Sequence, residues 1–138
     1  MAMHLRQQLA QARDGVELAP HPGQSIGEEV VSLTQHDVVV LVGFRRRPRG
    51  FAALVDTLVT SPATVLLLAD ATARRHGEAV DHFLEVPLEN GSAFDSYAAA
   101  ASVVSLLSSA VLAASLQVGR ARIERIGAAY RRLDELES

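Results

Sequence analysis

The sequence contains no cysteine and no tryptophan, and aromatic residues make up only 4% of its 138 positions. Without cysteine there are no disulfides and no thiolate chemistry, a composition that suits a reducing cytosol. Few aromatics leave little from which to build stacking platforms for nucleic-acid bases. A positive charge excess is also missing: the formal net charge is -3, which argues against coating of a nucleic acid. No basic segment followed by an apolar stretch opens the chain, so a cleaved secretion signal is not expected. The five histidines, His4, His21, His36, His76 and His82, show no metal-ligand spacing and read as ordinary surface or turn residues. No G-x-S-x-G elbow, Walker loop or G-x-G-x-x-G fingerprint occurs.

What is present is globular: 49% hydrophobic and 21% charged residues, enough for one domain with a core. Leu5 to Arg13 reads as an amphipathic helix ended by Asp14-Gly15, and Val16 to Ala19 as a short strand. Ser25 and Glu28 have the spacing of a capping box, opening a helix through Leu33. Asp37 to Val42 is a continuous β-branched apolar run, the pattern of a parallel strand buried on both faces. Gly50 to Val59 reads as a helix, Thr64 to Ala69 as a second strand and Ala71 to His76 as a short helix. His82 to Val86 reads as a third strand. Ser92-Ala93-Phe94-Asp95 resembles a capping signal for a long helix that Gly119 interrupts, and Arg120 to Leu136 forms the last helix. Ser96 to Val118 is uncharged and long enough to span a bilayer, but its alanines and serines drive insertion poorly, so a buried helix is the better reading. Strands alternating with helices predict an α/β fold, a mostly parallel sheet flanked by helices in three layers.

Ligands of such sheets bind beyond the carboxyl ends of the strands. Three loops meet there: Gly43 to Arg49, Asp70 to Arg75 and Pro87 to Ser92. The first carries Arg45, Arg46, Arg47 and Arg49 immediately after an apolar strand. Gly43 permits a close backbone approach, and the following helix begins near Gly50, so guanidiniums and helix amides face one space, a setting for an anion. The competing reading is a solvated basic loop paired with surface carboxylates. Arg45 and Arg49 are the first choices for contact. Asp70 can accept from a ligand hydroxyl or cap the turn that follows it. Glu89 can bind a sugar hydroxyl, move a proton, or be an exposed loop acid.

"HDVVVLVGFRRRPRG", "ATVLLLAD" and "DHFLEVPLENGSAFDSYAAAASVVSLL", in that order, resemble the SIS (sugar isomerase) domain of RpiR-type bacterial transcription regulators from about Gly15 onward. The resemblance implies a parallel sheet wrapped by helices, phosphorylated sugars bound at strand carboxyl ends, and DNA bound only through a separate helix-turn-helix domain not found in this chain. Family members carry serine or threonine in the phosphate loop, where this chain has arginines. They also begin with a strand and glycine loop that have no counterpart here, so residues 1–138 are expected to be a single partial SIS-like domain, the later portion of a regulator or a natural truncation.

The expected function is that of a cytoplasmic, non-catalytic sensor of a phosphorylated sugar, needing no cofactor and no membrane. Its ligand set is Gly43, Arg45, Arg49, Asp70, Glu89 and Ser92. The alternatives are an aldose–ketose phosphate isomerase with Glu89 as base, or a degenerate module kept for dimerisation. A homodimer is expected through the last two helices, where Ala100, Ala110 and Ala114 allow close approach.

Overall fold

The computed structural model describes residues 1–91 and 93–135. Its elements run α1 (Ala2–Ala12), α2 (Ile26–Val31), β1 (Val38–Gly43), α3 (Phe51–Val59), β2 (Thr64–Ala69), a 3-10 turn (Ala71–Ala73), α4 (Arg74–Gly77), β3 (His82–Glu85), α5 (Ala98–Ala114) and α6 (Leu116–Leu133). The chain divides into two compact units: residues 19–100 form one, and residues 3–18 with 101–135 form the other.

In the first unit three strands pair side by side in the order β1-β2-β3, all parallel. The register sets Leu41 beside Leu67 and Leu67 beside Phe83. One face of the sheet therefore presents Leu41, Leu67, Ala69 and Phe83 together, because side chains alternate along a strand. Phe51 and Val55 of α3, with Ala73 and Val80, complete this cluster. Val55 and Leu67 are wholly buried. Side chains of that kind each contribute about 1.5–3 kcal/mol by leaving water. Two chain segments are tied in at the opposite end of the sheet: the Asp37 carbonyl accepts from the Thr64 amide at 3.0 Å, and the Asp81 carboxylate from the Val65 amide at 2.7 Å.

Gly43 closes β1. A Cβ there would lie 2.3 Å from Cζ of Phe51, so the ring of α3's first residue occupies the space a side chain needs. Its φ is ordinary; close approach of a ring, not turn geometry, demands glycine here.

The capping box forms as expected. The Ser25 hydroxyl accepts from the Glu28 amide at 3.3 Å, and the Glu28 carboxylate accepts from the Ser25 amide at 2.7 Å. The Ser25 amide first, and the Ser25 side chain second, hold the Glu28 carboxyl below its usual pKa.

Four expectations are corrected. Val16 to Ala19 is not a strand; the segment has no neighbour to complete a ladder, and alternation alone supplies none. β1 is not buried on both faces: among the described residues it pairs with β2 alone, as an edge strand, and Val38 is 64% exposed. The long helix starts at Ala98 and not at the Ser92–Asp95 signal; Ser92 itself lies outside the described residues. The break falls at Ser115, where the chain bends by 109°, and Gly119 lies inside α6.

The second unit explains Gly119. A Cβ on it would meet Cδ1 of Leu112 at 2.6 Å and the Ala12 carbonyl at 3.2 Å. The glycine thus lets α6 approach the end of α1. Arg122 fastens the same junction, donating to the Ala10 carbonyl at 2.8 Å and pairing with Asp14. Ala100 is fully buried, whereas Ala110 and Ala114 are exposed, so only the last two are free to meet another surface. No single helix among the described residues is long and apolar enough to cross a membrane; α5 and α6 pass such a test only as a bent pair, by length and composition.

Candidate functional site

The last paired residues of the three strands, Gly43, Ala69 and Glu85, lie in one row. Beyond that row the chain turns polar at once. The residues that follow line a cleft of about 130 Å³, bounded by Arg45, Asp70, Ala71, Thr72, Glu85, Pro87, Leu88 and Glu89. Leu88 and Val86 are buried and anchor the third loop, aided by hydrogen bonds from the Val86 amide to the Ala69 carbonyl and from the Ser96 amide to the Leu88 carbonyl, both 2.8 Å.

Arg45 spreads its guanidinium between two acids. Nη1 donates to Asp95 Oδ1 and Nη2 to Glu89 Oε1, each at 3.0 Å. The Phe44 and Tyr97 rings meet edge to face, with centroids 5.5 Å apart. Arg47 turns the other way. It donates to the Gly43 carbonyl at 2.9 Å and to the carbonyl and hydroxyl of Thr72 at 3.0 and 2.9 Å, and its guanidinium lies 5.6 Å from the Phe51 ring centroid. This is a guanidinium used in three ways at once: as a fork for two loops, as a partner for a ring, and as a counter-charge 3.9 Å from Asp70.

Asp70 is 5% exposed. Its Oδ1 accepts from the Thr72 amide at 2.8 Å and from the Thr72 hydroxyl, which caps the 3-10 turn. Burial works against the charged form, but the Thr72 hydroxyl and amide, the Arg45 amide and the Arg47 guanidinium outweigh it, and the Asp70 carboxyl is held below its usual pKa. Oδ2 is buried without a hydrogen-bond partner. At the far wall Arg74 forks onto Glu85 through Nε and Nη2, both 2.6 Å, and these bonds hold the Glu85 carboxyl down.

Of the residues singled out from sequence, Arg45, Asp70 and Glu89 are brought together in the cleft lining. Gly43 lies in the row beneath, under Phe51 and within reach of Arg47. Arg49 is exposed and outside the lining, and Arg46 is exposed as well. The geometry adds Arg47, Thr72, Glu85 and Asp95. Thr72 carries a legible signal, a hydroxyl two residues after a strand-ending aspartate; Asp95 shows none as a partner of a residue fifty positions away.

No family model matches this chain, and no curated protein matches it. Among solved structures, the RpiR transcription factor from Sphaerobacter thermophilus, described as its sugar isomerase domain, superposes with a TM-score of 0.76 over 92% of this chain and 71% of its own, at 18% identity. The fold is that of a sugar isomerase domain. A parallel three-stranded sheet flanked by helices is thus an established SIS-like arrangement, and the arginine loop occupies the carboxyl end of the first strand of that fold as it stands here.

Proposed function

We propose that this chain is a SIS-like domain that senses a phosphorylated sugar for a transcription regulator without catalysing its conversion. The single observation that carries the reading is the cleft beyond the strands, where guanidiniums stand next to a buried carboxylate oxygen that lacks a partner. Arginine forks suit phosphate oxygens, and a buried unpartnered acceptor favours a ligand that brings hydroxyl donors. A sugar phosphate offers both. The ligand set is Arg45, with Arg47 and Asp70 beside it, and Arg49 and Ser92 as further contacts.

A sensor is favoured over an isomerase by the carboxylates themselves. The Glu89 side chain is 84% exposed and engaged by Arg45, and Asp70 is held in its charged form. Glu89 lacks the water-excluded setting of a tuned general base, and the Asp70 carboxyl is held below, not above, its usual pKa. DNA contact is assigned to a separate helix-turn-helix domain. A homodimer through α5 and α6 is supported by exposed Leu106, Val118 and Leu133.

The test is calorimetric titration with a panel of pentose and hexose phosphates. Arg45→Ala should weaken binding about ten- to a hundredfold, the worth of a well-oriented charged hydrogen bond. Absence of binding at millimolar ligand would end the reading, and turnover of any of these sugars would transfer it to the isomerase.

A further inference from the structure

Arg45 is not vacant. Both terminal nitrogens of its guanidinium are engaged, at the same distance of 3.0 Å, by one carboxylate oxygen each from Glu89 and Asp95. The two acids lie after β3 and the arginine after β1, so the contacts span 44 and 50 residues of sequence. Two oxygens set across the fork of a guanidinium reproduce the way a phosphate group presents two of its own. The pair is also built to yield. The Arg45 and Glu89 side chains are 43% and 84% exposed, and exposed ion pairs are weak. Arg47 and Arg74 contrast with this: Arg47 is committed to backbone carbonyls and Thr72, and Arg74 grips Glu85 at 2.6 Å through two bonds.

We propose that Glu89 and Asp95 are a built-in competitor that occupies Arg45 in the empty site and is exchanged for the ligand's anionic group. The proposal rests on the reading of the cleft as a sugar-phosphate site and deepens it by assigning a regulation to that site. Two consequences follow for specificity. A neutral sugar cannot displace the carboxylates, so the unphosphorylated compound is rejected. A dianionic phosphate displaces both, and the two acids are then released from the arginine loop. Asp95 stands three residues ahead of Ala98, the first residue of α5, so the exchange acts where that helix begins.

The experiment uses the whole chain and inorganic phosphate, followed by the same panel of sugar phosphates. The double variant Glu89→Gln, Asp95→Asn keeps the shape of both side chains and removes their charge. It should bind phosphate roughly three- to tenfold more tightly than the unmodified chain, the range expected from releasing one exposed and one part-buried carboxylate from a half-exposed guanidinium. Asp56→Asn with Glu78→Gln, two exposed acids of the same unit, removes the same charge elsewhere and should leave affinity within twofold. A residue with a merely structural role would not tighten binding when changed. If phosphate binds and the first variant binds no better than the control pair, the competitor is refuted while the sugar-phosphate reading stands. If only the first variant binds, the competitor is supported in its strongest form. If neither binds any phosphate, both ideas fall together.

Discussion

One row of residues, Gly43, Ala69 and Glu85, divides two regions held together by different physics. Beneath it lies the apolar cluster of Phe51, Val55, Leu67 and Ala73, where tight packing decides everything. Above it lies the charged rim, in which Arg45, Arg47 and Arg74 each engage at least one acid. Buried contacts cannot be traded for water, whereas rim contacts can, and for that reason the rim is the part able to exchange partners with a ligand. Stability should therefore reside below the row and responsiveness above it.

Leu67→Ala attacks the lower region directly. It should cost about 2–5 kcal/mol by the usual toll of a cavity in a packed core, read as the shift in urea midpoint. Gly43→Ala tests the dividing row: the new methyl must push Phe51 aside, an overpacking expected to cost about 1–3 kcal/mol in the same assay. A destabilisation below a few tenths would show that the ring relaxes freely. Asp70→Ala, at the border, removes a cap and should cost about 1 kcal/mol. Arg74→Ala, wholly in the rim, should cost no more than about 1 kcal/mol despite its two short bonds, because the pair is exposed. A cost matching that of Leu67→Ala would break the distinction between the regions.

Acid sharpens the same comparison. Asp70 and Glu85 both have carboxyls held below their ordinary values of 3.8 and 4.5. A depressed folded pKa gives stability that is fully present above the ordinary value and lost as pH falls through the depressed one. The urea midpoint should hold level from neutrality down to the ordinary carboxylate range and then drop. Asp70→Asn should flatten part of that drop.

The strands were legible because their signal is local: the five apolar residues from Val65 to Ala69 leave few alternatives to β2. The capping box at Ser25 was legible for the same reason. The start of α5 was not. Asp95 has the spacing of a cap, but its carboxylate is taken by Arg45, a tertiary pairing that local pattern does not encode. Gly119 suggested a helix end when its purpose is to admit the Ala12 carbonyl, a neighbour more than a hundred residues away in sequence. In the cleft, the arginine loop was visible as a cluster, but which guanidinium faces which acid depends on how the loops fold over the row.

The edge-to-face contact of Phe44 with Tyr97 gives the site an optical handle. The chain has no tryptophan and two tyrosines, Tyr97 and Tyr130. Intrinsic emission is therefore tyrosine emission, undiluted by energy transfer to an indole. With Tyr130→Phe, tyrosine emission comes from Tyr97 alone, which packs on Phe44 two residues after Asp95, and this loop can be followed in real time without an attached dye.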